Sequence, residues 1–128
     1  MLFMTWGFRE GSPLYGCEDF VAMQARLDAT YLEIAGEIDA PVAPVGIAWK
    51  RAIEQDPQLV EDLWISSDPV HPAPAGTYLA ACVFYAVLFR ESPASLEFRG
   101  ELSEQNARFL QNVAAATVLE SPDRWNLK

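Results

Sequence analysis

An α/β fold built on parallel strands is predicted by three observations. Two β-prone runs, at 2–6 and 40–46, alternate with long helical periodicities, and strands separated by helices pair in parallel. Half of the 128 residues are hydrophobic, enough to bury a core as one domain spanning 1–128, with no internal repeat or boundary. The helices outnumber the strands, and two strands fall short of the four to six that commonly make a covered sheet. Further strands are expected, most simply ahead of the first.

The elements follow in order. "LFMTW" at 2–6 suits a buried strand ended by Gly7, and "GFREGSPLYG" is loop, punctuated by three glycines and a proline. From Glu18, Phe20, Met23, Leu27, Tyr31, Ile34 and Ile38 recur at steps of three and four. They predict one apolar stripe on a helix of about six turns, with Glu18 and Asp19 placed for its N-terminal dipole. "APVAPVG" at 40–46 predicts a second strand, buried on both faces, in which Pro41 and Pro44 favour an edge position. "IAWKRAIEQ" reads as a short helix, and "PQLVEDLW" as another turn or two behind Pro57. After the loop "ISSDPVHPAPAG", an apolar helix runs from Thr77, its expected N-cap, to Phe89, with Pro93 as the stop. Ser103 opens a last amphipathic helix through Ala107, Leu110, Val113 and Thr117, and the polar tail "ESPDRWNLK" is expected to be loose.

Charge and composition exclude several function classes. A net charge of −9, with bases scattered apart from the pair Lys50 and Arg51, opposes binding to nucleic acid or an anionic membrane. Cys17 and Cys82 are two isolated cysteines and read as small packing residues; with a single histidine they make no zinc ligand set. No metal or cofactor is expected. The start "MLFMTWGFRE" lacks the pattern of an export signal, and the longest apolar run, 75–89, falls short of the ~20 residues of a membrane span. Compartment is left open.

The chemistry concentrates at 66–76. His71, the only histidine, precedes Pro72, which biases its backbone to an extended form, while Pro69 and Pro74 stiffen both sides. Asp68 lies three residues earlier, close enough in a curved loop to accept a hydrogen bond from one imidazole nitrogen and leave the other to take a proton. Spacing alone also fits two solvated polar residues. Trp6 and Gly7 sit where the first strand ends, the end at which open α/β sheets bind ligands. Trp6 is a candidate substrate contact or a residue that packs the following loop, whereas Trp49 and Trp64 read as core aromatics.

"SDPVHPAPAGTYLAACVFYAVLF" resembles the last sequence block of the GDSL/SGNH hydrolases, in which an Asp-x-x-His-Pro loop precedes a helix opening with glycine. "MTWG", "MQARLDATYLEIAGEIDAPVAPVGIAW" and "LWISSDPVHP" extend the resemblance over nearly all of the chain up to Arg90. It implies the C-terminal part of a flavodoxin-like three-layer α/β/α SGNH hydrolase fold, with the two strands as the fourth and fifth of five. It also implies a serine esterase acting on acyl or acetyl esters, carbohydrate esters among them, with Asp68 as triad acid and His71 as general base. The family's Gly-Asp-Ser block, and the glycine and asparagine blocks that supply oxyanion-hole donors, have no counterpart here. Ser12, in "EGSPLYG", lacks the aspartate and the preceding strand and falls after "MTWG", so it reads as a loop serine. The chain is therefore expected to be a fragment that carries acid and base without a nucleophile. Two other readings stand beside this one. The first is a non-catalytic binding or assembly module whose open sheet edge pairs with another chain or a second copy. The second, ranked last, is a minimal hydrolase using Ser12, Ser66 or Ser67.

Overall fold

The computed structural model describes residues 1–127. Seven main elements follow the chain: β1 (Leu2–Phe3), α1 (Phe20–Glu37), β2 (Val42–Ala43), α2 (Val45–Gln55), α3 (Val60–Leu63), α4 (Pro74–Phe89) and α5 (Glu104–Leu119), with short 3₁₀ turns between them. β1 and β2 pair in parallel, Leu2 beside Val42 and Phe3 beside Ala43, joined through α1. The α/β order thus holds in its coarse form. Helix dominates, and the sheet consists of these two strands.

Each element has a local cause. Asp19 caps α1 by accepting from the Ala22 amide, and Ser103 caps α5 by accepting from Asn106. β2 is completely buried on both faces, with α1 and α4 both against it. α4 and α5 pack together and onto α2, closing a core that includes Leu79, Val83, Leu110, Val113 and Val118.

Five expectations change. β1 covers only Leu2–Phe3, with Phe3 exposed, where a buried strand over 2–6 was expected. β2 is shorter than expected because α2 begins at Val45, directly behind Pro44. α4 begins at Pro74, with Ala73 at the cap position in place of Thr77, as suits a proline in a helix's first turn. Gly76 therefore lies inside the helix, where a Cβ would overlap the Trp49 ring and the Leu63 carbonyl. The apolar stripe expected on α1 holds only in part: Phe20 is buried and Met23, Leu27 and Tyr31 are half-buried, but Ile34 and Ile38 are exposed, and Gln24 and Ala35 take buried positions off the stripe. The tail is docked. Trp125 is 2% exposed with its indole N–H on the Thr117 carbonyl at 2.9 Å, and Asn126 Nδ2 donates to the Ala35 and Ala40 carbonyls.

The edges of the sheet differ. Leu2 and Met4 direct their amides to β2, donating to Pro41 and Ala43 at 2.7 and 3.0 Å. Strand alternation turns the Phe3 N–H and C=O to the opposite edge, where none of the described residues bonds to them. Phe3 meets Phe84 of α4 edge-to-face at 5.0 Å, and Leu88 is exposed one turn further along that helix.

Candidate acid–base site at the end of the first strand

The loop between α3 and α4 is pinched at its base. Trp64 bridges Pro72, the Ala73 amide donates to the Leu63 carbonyl and the Ile65 amide donates to the His71 carbonyl, both at 3.0 Å. Leu63 and Trp64 are buried, so the loop grows from a fixed stem. At its turn, the Asp68 amide donates to the Ile65 carbonyl at 2.9 Å.

Asp68 organises the tip with both oxygens. Oδ1 accepts from the Val70 amide at 2.8 Å and the His71 amide at 3.2 Å, while Oδ2 lies 2.5 Å from His71 Nδ1. The Val70 amide, then the His71 side chain, hold the Asp68 carboxyl below the usual aspartate range. An ionised carboxylate there is an acceptor only, so Nδ1 carries a proton, and in the neutral imidazole the lone pair then sits on Nε2. The His71 side chain is 69% exposed, and no described residue bonds to Nε2. An oriented imidazole with a free basic nitrogen facing solvent can take a proton from a nucleophile brought to it. The sequence-predicted pair is thus brought together.

The segment leaving β1 holds the loop from the other side. Trp6 Nε1 donates to the Val70 carbonyl at 2.9 Å, the Arg9 amide donates to the Pro69 carbonyl at 2.8 Å, and an Arg9 guanidinium nitrogen reaches the Ser66 carbonyl at 3.3 Å. Trp6 is half-buried and stacks on Trp49 with ring centres 4.4 Å apart and planes 13° apart; Trp49 in turn meets Trp64 at 5.5 Å. Trp49 and Trp64 are core aromatics, as their sequence setting suggested.

Sequence reasoning missed Arg9 and Gln24. Gln24 is fully buried; its Oε1 accepts from the Gly7 amide at 2.8 Å, and its Nε2 donates to the Thr5 carbonyl at 3.4 Å and to Asp28 Oδ1 at 2.7 Å. It satisfies peptide groups that β1 leaves behind as it ends. Burial pushes the Asp28 carboxyl up, against the pull of Gln24, Lys50 and Arg124. The one available signal was the polar pair Gln24 and Asp28, four residues apart on a helix.

The serines do not join the pair. Ser12 is buried in a small bridge with Cys17, and no described hydrogen bond links Ser12, Ser66 or Ser67 to His71. Among the described residues no cluster of three His, Cys, Asp or Glu side chains converges, and no helix is long and apolar enough to cross a membrane. Both cysteines are free and buried, and burial pushes the Cys82 thiol up to about 11, leaving it protonated at neutral pH. Comparison with protein-family models, with curated proteins and with solved structures finds no match to this chain.

Proposed function

We propose that the chain supplies the acid–base half of an SGNH-type ester hydrolase, with Asp68 orienting His71 and His71 Nε2 as the general base. The observation that carries this reading is the bond from His71 Nδ1 to Asp68 Oδ2, within a loop whose other Asp68 oxygen is fixed by two backbone amides. His71 takes the proton of a serine hydroxyl as it attacks an ester carbonyl, then returns it to the departing alcohol, and Asp68 stabilises the imidazolium formed between. The substrate class follows the resemblance, acyl or acetyl esters of small alcohols or carbohydrates.

The nucleophile and oxyanion donors come, on this reading, from a polypeptide joined to this chain or separate that adds a strand along the open edge of β1. The outward Phe3 peptide groups and the apolar Phe3–Phe84–Leu88 surface support such a partner. The same edge supports the second reading, a non-catalytic module that pairs its edge with another chain or a second copy.

The test is a chimaera in which this chain replaces the corresponding C-terminal segment of an active SGNH hydrolase. Hydrolysis of p-nitrophenyl acetate that disappears with His71→Ala is expected. A folded chimaera with no turnover, or with turnover indifferent to His71, contradicts the reading.

A further inference from the structure

The loop after β1 and the carboxylate of Asp68 grip the same two peptide groups from opposite ends. In the Pro69–Val70 peptide, the carbonyl accepts from the Arg9 amide at 2.8 Å and the N–H donates to Asp68 Oδ1 at 2.8 Å. In the next, Val70–His71, the carbonyl accepts from Trp6 Nε1 at 2.9 Å and the N–H donates to the same Oδ1 at 3.2 Å. A hydrogen bond accepted at a peptide's carbonyl polarises the peptide and strengthens its N–H as a donor. Two such donors aimed at one oxygen turn the carboxylate so that its second oxygen faces Nδ1.

We propose that the Trp6 indole N–H and the Arg9 main-chain N–H are positioning groups for the Asp68–His71 pair, acting through these two peptides. Trp6 is thereby given a role other than substrate contact. Its ring is set by the stack on buried Trp49, so the core beneath the loop fixes where the indole N–H points. The consequence for catalysis rests on the hydrolase reading above; the positioning itself does not. Among the described residues, His71 is the one titratable side chain acting on Asp68; the Arg9 guanidinium lies on the Ser66 carbonyl and Glu10 lies against Arg9 at 3.9 Å.

The experiment follows the Asp68 carboxyl by carbon-13 NMR through an acid titration of the isolated chain. Trp6→Phe keeps a ring and removes the donor; replacement of Trp6 by benzothienylalanine keeps the ring size and removes only the N–H. An upward shift of the Asp68 midpoint in both is expected, with none in Arg9→Ala, because the Ser66 carbonyl belongs to a peptide whose N–H does not reach Asp68. An unmoved midpoint in the benzothienylalanine variant overturns the proposal. So does an equal shift in Arg9→Ala, which places the cause in general loosening of the loop. In the chimaera, Trp6→Phe lowers kcat roughly tenfold to a hundredfold with KM unchanged. Since the titration needs no turnover, failure of the hydrolase reading leaves it interpretable.

Discussion

The end of β1 and its lateral edge lie a few residues apart and are finished to opposite degrees. At the end, the acid–base loop is exposed, yet both Asp68 oxygens, the Val70 and His71 amides and three loop carbonyls all have partners within the chain. At the edge, the Phe3 peptide groups have none among the described residues, and the Phe3 ring on Phe84 is left exposed beside them. Exposure therefore does not separate the two regions; hydrogen-bond completion does. The difference teaches that the orientation of His71 is a property of this chain by itself, whereas completion of the sheet is, on the proposed reading, the part left to a partner.

The largest expected effect breaks the finished end from below. Gly76→Ala drives a methyl group into the Trp49 ring and the Leu63 carbonyl, neither of which has room to yield. A loss of about 3 kcal/mol is expected, measured by urea denaturation. Next, Gln24→Leu keeps the volume but strands the buried Gly7 amide and removes the donor to the Thr5 carbonyl. It is expected to cost about 2 kcal/mol and to broaden the Trp6 indole signal, since Gly7 follows Trp6 directly. At the edge the outcome reverses: Phe3→Thr, at a residue 43% exposed, costs at most about 1 kcal/mol and, if the edge pairs with a second copy as the second reading holds, reduces that self-association in sedimentation velocity.

The smallest effect sharpens the comparison by pH. Because Asp68 is held below the usual aspartate range, its contribution is fully present above that range and is lost only as pH falls through the lowered value. The Val70 and His71 amide shifts are therefore expected to persist where ordinary aspartates are half protonated, about pH 4. Asp68→Asn removes this transition.

The finished end was partly legible in the sequence. Proline stiffening and the three-residue spacing of Asp68 and His71 are local, so the pair can be read from its own segment. Trp6 and Arg9 could not be assigned, because the carbonyls they hold lie 64 and 57 residues away. The α1 stripe was legible from Phe20 to Tyr31, but the buried Gln24 beside it was not, because the end of β1 needs polar partners that an apolar period does not reveal. Thr77 looked like a cap, but Pro74 already satisfies the first turn and lets Gly76 tuck under Trp49. The tail looked loose because its polar residues hide the buried ring of Trp125. The shortness of the sheet was legible as a count, and the sheet of the described residues has two strands.

The most direct test of the proposal that the chain holds an oriented base but no nucleophile is p-nitrophenyl acetate hydrolysis by the isolated protein, beside His71→Ala. The account predicts equal, near-background rates for the two. Wild-type turnover well above that of the variant would place a nucleophile within these 128 residues and contradict it.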